Sequence, residues 1–254
     1  VKVKRVDTIL QVKQLIGGYS PRRPVLHGLD FEVKAGEMVG LIGLNGAGKS
    51  TTIKHILGLM KPHQGEVKVA GTTLAEQPEV YRSAFAYVPE APELFPELTV
   101  EEHLHMTGMA YDVKEKDFAS RQEALLDQFQ MLPKRKAFAN HLSKGMRQKV
   151  MIMNALLAQP PLYIIDEPFL GLDPLAIRSL LERLVEVKRN GAAILMSSHI
   201  LSTVETYCDR FIVMHQGHIA AQGTMEDVRR IAGIDMRNGT LEEAFYKLVT
   251  GGHS

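Results

Sequence analysis

Three scarcities limit what this chain of 254 residues can be. Cysteine occurs once, as Cys208, so no intrachain disulfide is possible and a reducing compartment is the simpler expectation. Neither sign of charge is in surplus: 30 lysines and arginines face 29 aspartates and glutamates, a net charge of +1. With no basic excess to neutralise a phosphate backbone, no nucleic-acid partner is expected. Long apolar runs are lacking too. No stretch approaches the ~18 residues needed to cross a bilayer, so any membrane role must come through a partner. The opening Val1-Lys2-Val3-Lys4-Arg5 is charged and leads into no apolar signal core. Internal repeats, low-complexity segments and linkers are also missing. What remains, 45% hydrophobic and 23% charged residues, suits one large α/β domain or one domain with a lobe.

The chain is organised around Gly43-Leu44-Asn45-Gly46-Ala47-Gly48-Lys49-Ser50-Thr51, which fits the phosphate-loop pattern G-x-x-x-x-G-K-[ST] in full. Glycines let the backbone turn tightly and present N–H groups to an anion. Lys49 would reach the terminal phosphates of a nucleotide, and the Ser50 hydroxyl would take one Mg2+ position. Met38-Val39-Gly40-Leu41-Ile42 before the loop reads as a buried strand. After it, Ile53, Ile56, Leu57 and Met60 recur at helical spacing until Pro62. Strand, loop and helix in that order set a helix N-terminus against the phosphates. Upstream, Leu10-Gln11-Val12, Val25-Leu26 and the alternating Leu29–Val33 read as short strands. Tyr19, in the turn between them, either stacks on a base or packs on the surface; spacing does not choose.

Downstream, Glu66–Ala70 reads as an edge strand and Phe85–Val88 as an apolar one, with Glu90 just past its end, where ligands bind in parallel sheets. Thr99-Val100-Glu101-Glu102 is a capping box. From there to about Gln159 no strand is convincing, which predicts a helical lobe inserted into the α/β core. Within it, His103 and His105 point to opposite sides of a helix and read as a solvated pair, not a metal site. The core resumes at Leu162-Tyr163-Ile164-Ile165-Asp166-Glu167, an apolar strand ending in two acids. At a nucleotide site the first, Asp166, would hold Mg2+ through water and the second, Glu167, would polarise an attacking water. Asp173 and Pro174 open a helix as N-cap and first residue. Ala192–Met196 is the next strand and His199 follows it. A lone histidine is more often a structural hydrogen-bonder, yet this one lies on the same rim as the other candidates. A hairpin, Phe211–Gln222, and two helices capped at Thr224 and Thr240 close the chain.

Leu142-Ser143-Lys144-Gly145-Met146-Arg147-Gln148 stands just before an amphipathic helix, about twenty residues ahead of the acid pair. Here the sequence resembles the nucleotide-binding subunits of ATP-binding-cassette (ABC) transporters, whose signature reads LSGGQ. The resemblance spans nearly the whole chain, in order: Tyr19, the phosphate loop, Glu90, the signature, Asp166 and Glu167, Leu172-Asp173, and His199. Within the family, Tyr87-Val88-Pro89-Glu90, Ser143-Lys144-Gly145-Met146 and Ile164–Phe169 look most like the Ecs-type ATPase subunits of Gram-positive bacteria. It implies a P-loop NTPase (RecA-like) core with an N-terminal antiparallel β subdomain and an inserted α-helical lobe. The corresponding divisions are 1–90, 91–159, 160–222 and C-terminal helices over 223–254. It also implies ATP and Mg2+ as cofactors, with two copies sandwiching two ATP molecules. In that arrangement Ser143, Lys144, Gly145 and Met146 serve the other chain's nucleotide, Glu167 and His199 act in hydrolysis, and Asp173 communicates between sites. The partner would be an integral membrane transport subunit, holding the chain on the cytoplasmic face. A soluble ABC scaffold that moves no solute is the alternative. A translation- or DNA-linked ABC ATPase would carry two cassettes or a long coiled-coil insertion, and this chain has neither. Two departures stand out: Lys144 and Met146 replace glycine and glutamine, and Glu90 replaces the glutamine that senses Mg2+.

Overall fold

The computed structural model describes residues 7–251; the charged opening Val1–Arg5 lies outside them. Strands β1 (Thr8–Gly17) and β2 (Leu26–Lys34) pair antiparallel. The separate strands expected around Leu26 and Leu29 are one, because a bulge in β1 between Val12 and Leu15 absorbs the irregularity that Gly28 introduces. β3 (Met38–Gly43) leaves this sheet to start the core, and α1 (Lys49–Ile56) follows the phosphate loop. β4 (Gln64–Val69) then returns to the far side of β1, giving the order β2-β1-β4 with β4 at an edge, as the sequence predicts.

After α2 (Pro78–Ser83) and β5 (Phe85–Val88) comes the lobe: α3 (Val100–Ala110), α4 (Glu115–Gln128) and α5 (Lys144–Ala158). The core then takes β6 (Leu162–Asp166), α6 (Pro174–Arg189), β7 (Ala193–Ser197), α7 (Leu201–Tyr207), β8 (Arg210–His215) and β9 (His218–Gly223). Helices α8 (Met225–Ala232) and α9 (Leu241–Thr250) end the described chain. The core sheet runs β5-β6-β7-β3-β8-β9, parallel except for the β8–β9 hairpin. Every residue of β6 and β7, and all of β3 but Gly43, is buried, which explains why these strands read as unbroken apolar runs. This is the P-loop NTPase architecture with its β subdomain and helical lobe.

Two features of the sheet position the site. Parallel strands deliver their C-terminal ends to one edge, so the residues following β3, β5, β6 and β7 gather there. The lobe leaves from the C-terminal end of β5 and re-enters at the N-terminal end of β6, its parallel neighbour (Phe85 opposite Leu162), so only its first residues start from the edge that carries the site. Thr99 caps α3 in a reciprocal capping box with Glu102, a device of about 1 kcal/mol.

His103 differs from expectation. It is buried, not solvated: Nδ1 donates to the Thr99 carbonyl at 2.8 Å and Nε2 accepts the Phe95 N–H at 3.0 Å. Both ring nitrogens of a neutral imidazole are thereby satisfied, tying the loop after Glu90 onto α3. His105 is exposed, edge-on to Phe118. At Cys208, burial and the Asp209 carboxylate push the thiol up to about 12, leaving it protonated and unreactive.

Candidate nucleotide site

Helix α1 differs both from the capped helices and from α2, α4 and α7, which also lack a side-chain cap but whose N-cap residues keep a negative φ. Helices α3, α5, α6, α8 and α9 each open under a Ser, Thr or Asp side chain that accepts a first-turn N–H. At α1 the N-cap is Gly48 in the left-handed region (φ 108°), with no side-chain cap and no acid in the first turn. A Cβ on Gly48 would also strike Leu26 Cδ2 at 2.8 Å. The first-turn donors are left for an anion from outside, and the helix dipole favours one. The loop is braced by Ala47 N–H to Leu44 O and by Gly217 N–H, from the β8–β9 turn, to Ala47 O, both at 3.0 Å. Ala47 is buried and faces the protein. Lys49 lies back on its own loop, Nζ donating to Gly43 O at 2.7 Å and Leu44 O at 3.4 Å.

Asp166 ends β6 directly opposite Ser197, the last residue of β7, whose hydroxyl donates to Asp166 Oδ1. Burial holds the Asp166 carboxyl above its ordinary range; the Ser197 hydrogen bond and Lys49 oppose that, while the charge of Glu90 adds to it. A buried carboxylate biased towards its proton is one that a nearby cation would relieve. Glu167 adopts φ +47°, a conformation that costs a non-glycine residue about 1 kcal/mol or more. It is held by its N–H to Ser197 O at 3.1 Å. Its Oε2 accepts the backbone N–H of His199 at 3.1 Å and Nδ1–H at 2.6 Å. His199 is thus tied to an acid rather than to the core.

Lys49, Ser50, Glu90, Asp166, Glu167 and His199 line one cavity of about 460 Å³. Asn45 opens both onto it and onto a second cavity of about 360 Å³, beside Gly46, Gly48 and Thr51. Tyr19 lines that second cavity. It is 72% exposed, and its hydroxyl accepts from Lys54 Nζ at 3.1 Å, a contact that lowers the phenol pKa. Tyr19 is thus a surface residue beside the phosphate loop, with the Lys54 ammonium 5.4 Å from its ring centroid.

The signature lies elsewhere. Ser143 caps α5, its Oγ accepting the Met146 N–H at 3.3 Å. Among the described residues, none of Ser143, Lys144, Gly145 and Met146 lines either cavity. Asp173 is also outside, capping α6 through Ala176 N–H at 2.9 Å and paired with Lys149 Nζ at 2.8 Å. Lys149 and its hydrogen bond to Asp173 depress the Asp173 pKa. Sequence reasoning missed Ser197, the orienting hydroxyl, and Leu170, Leu201 and Phe245, which give the first cavity its apolar wall. Phe245 comes from α9, where periodicity marks only an apolar helix face.

Among the described residues no group of three His, Cys, Asp or Glu could hold a metal alone. The Ser50 hydroxyl and the Glu90 and Asp166 carboxylates, which line one cavity, are oxygen donors of the kind a hard cation such as Mg2+ takes, one or two carboxylates with water and phosphate oxygens completing its octahedron.

Comparison with known proteins agrees with this geometry. Residues 26–170 match the ABC transporter family. Over 241 residues the chain is 54% identical to the ABC-type transporter ATP-binding protein EcsA of Bacillus subtilis, covering 95% of this chain and 96% of that one. A solved ATP-binding subunit of an ABC transporter superposes with a TM-score of 0.92 at 54% identity, over 95% of this chain and 99% of its own. CbiO1 of Clostridium perfringens superposes with a TM-score of 0.74 at 27% identity, over 88% and 91% of the two chains. The chain therefore belongs to the ABC transporter family, as an ATP-binding and ATP-hydrolysing subunit close to the EcsA type.

Proposed function

We propose that the chain energises an integral membrane transport subunit by closing and reopening a dimer around two molecules of ATP with Mg2+. One observation carries this reading. The anion-facing end of α1 and the acids Glu90, Asp166 and Glu167 share a cavity with His199, whereas none of the signature residues lines it. One chain then holds an incomplete site, and a second copy arranged head to tail supplies the missing signature. In this reading Lys49 exchanges its two loop carbonyls for phosphate oxygens, and the α1 amides with Asn45, Gly46, Ala47, Gly48 and Thr51 form the phosphate cradle. Tyr19 offers its ring to the base. Ser50, Glu90 and Asp166 are the candidate holders of Mg2+, which when bound neutralises phosphate charge. Glu167 orients and deprotonates the attacking water, and His199, held by Glu167, turns its free ring nitrogen to the γ-phosphate. Ser143, Lys144, Gly145 and Met146 meet the partner's nucleotide, and Asp173 lies between the sites. The work is positioning and electrostatics, as expected for phosphoryl transfer.

No described helix is long and apolar enough to cross a membrane. In our reading a membrane subunit holds the chain at the inner face of the membrane. The CbiO1 relative, part of an ABC transporter complex, supports that arrangement.

Glu167→Gln tests the reading. It keeps shape and hydrogen bonding but removes the base, so hydrolysis should fall by roughly 10²–10⁴. ATP should then trap a dimer visible by sedimentation. A chain that stays monomeric under every nucleotide condition, alone or with its membrane subunit, would rule the sandwich out.

A further inference from the structure

His199 stands on a short link, residues 198–200, between β7 and α7, and its side chain is 62% exposed. Its place against Glu167 therefore depends on where α7 starts. Helix α7 is 7 residues long and has no side-chain cap at Ile200. So short a helix is fixed by what it packs on, not by its own turns. One side lies on the sheet: Val204 is buried, and a Cβ on Gly40 of β3 would stand 2.4 Å from its Cγ1. Helix α9 meets another side.

Glu205 Oε2 accepts the Leu241 N–H at 3.0 Å. That amide is the first of α9, and the cap residue Thr240, which takes the Glu243 N–H, leaves it to Glu205. An acid at a helix start is favoured both by its charge and by the helix dipole. Arg229 of α8 stands 3.9 Å from the other Glu205 oxygen and donates to the Gly239 carbonyl at 2.6 Å, bracing the turn into α9 at the same point. One helical turn before Glu205 lies Leu201, and one turn after Leu241 lies Phe245. Both line the candidate nucleotide cavity with His199 and Glu167. A phenyl ring has no chemistry to offer a triphosphate. What Phe245 offers is bulk in the wall that Leu201, just past His199, also forms. The second cavity, beside Tyr19 and the phosphate loop, has no residue of α7 or α9 in its wall.

We propose that Phe245 and Glu205 are positioning residues for His199. Helix α9 is a strap that fixes the start of α7 and, through it, the His199–Glu167 pair, while the phosphate cradle on α1 forms without it. Hydrolysis depends on a docked α9; ATP binding does not. This inference rests on the reading of Glu167 and His199 as the hydrolytic pair.

Three measurements test it: hydrogen exchange of the nucleotide-free full chain, its affinity for a non-hydrolysable ATP analogue with Mg2+, and ATP turnover when assembled with the membrane subunit. Phe245→Ala should speed exchange of the amides of residues 199–201 about threefold or more. It should lower kcat about tenfold or more while the analogue's Kd stays within about twofold. Phe245→Leu, which restores bulk, should recover most of the turnover. Glu205→Ala should repeat the Phe245→Ala pattern. Tyr246→Ala, on the same helix but 69% exposed and outside the cavity, should leave all three measurements at parent values. If Phe245→Ala no longer binds the analogue, Glu205→Ala is read in its place. Parent exchange or parent kcat in both variants, or loss of binding in both, would overturn the proposal. Parent turnover in His199→Ala would instead overturn the reading of the hydrolytic pair, and this inference with it.

Discussion

Two helix N-termini in this protein face opposite tasks, and their first turns differ accordingly. Helix α5 is closed by its own chain: Ser143 accepts the Met146 N–H, and Gly145, Gln148 and Lys149 bind it to neighbouring loops. Helix α1 is left open, with a left-handed glycine at its N-cap and no side chain on its amides. The open end lies in a cavity with Lys49, Ser50, Glu90, Asp166, Glu167 and His199, while the closed end leaves Ser143 and Lys144 exposed. A helix start that satisfies itself can be presented to a partner without losing stability. One that does not is incomplete until an anion arrives. The proposed dimer follows from this contrast, because each chain carries both the open start of α1 and the capped, exposed start of α5.

The contrast is broken most severely at Lys49. Lys49→Ala removes the one cation that the phosphate loop carries, so ATP hydrolysis should be abolished and ATP binding weakened, measured by steady-state turnover and titration. Wild-type turnover in this variant would mean that the open end of α1 is not the nucleotide site.

How much of this was legible in the sequence depends on what each residue answers to. The phosphate loop, Asp166-Glu167 and the caps at Thr99, Thr224 and Thr240 are short runs whose chemistry demands particular residue types at adjacent positions, so one sequence displays them. Ser197 could not be found that way, since its role comes from lying opposite Asp166 across a parallel pair that only the fold defines. Gln148 and Lys149 look like ordinary residues of an amphipathic helix until the loops they reach are known. His103 was misread because helical spacing says which side a residue faces, not that the Phe95 backbone folds back to cover that side. Phe245 is separated by most of the chain from the phosphate loop whose cavity it walls, with no motif to mark it.

A smaller effect is expected at Glu90, the departure that puts a carboxylate where the family has an amide. Charge–charge attraction to Mg2+ in a partly dehydrated site exceeds what a neutral amide gains. Without Mg2+ the same carboxylate repels the triphosphate. Glu90→Gln should bind ATP better in chelator and need several-fold more Mg2+ for half-maximal hydrolysis. Superimposable Mg2+ titrations and equal affinities in chelator would show that Glu90, though it lines the cavity, does not act on the ion.

The smallest expected effect sharpens the comparison from the closed side. Ser143→Ala removes the cap of α5 and should lower stability by about 1 kcal/mol, a shift of about 2–4 °C in the thermal midpoint for a chain of this size. No such loss should follow from altering a side-chain cap at α1, which has none to lose. A Ser143→Ala chain as stable as the parent would mean that α5 does not depend on its own cap.

The claim that one chain holds only half a working site is tested most directly by mixing two defective chains. Lys49→Ala disables the open end of α1, and Ser143→Arg places bulk where the partner's nucleotide would meet the signature. In a head-to-tail dimer of one of each, both lesions fall in one site and the other site is intact. The account predicts that each variant alone is inactive and that the mixture, assembled with the membrane subunit, recovers up to about a quarter of wild-type ATPase activity, since half of the dimers are mixed and each has one of two sites. Full activity of Ser143→Arg alone, or no recovery in a mixture shown to contain mixed dimers, would contradict it.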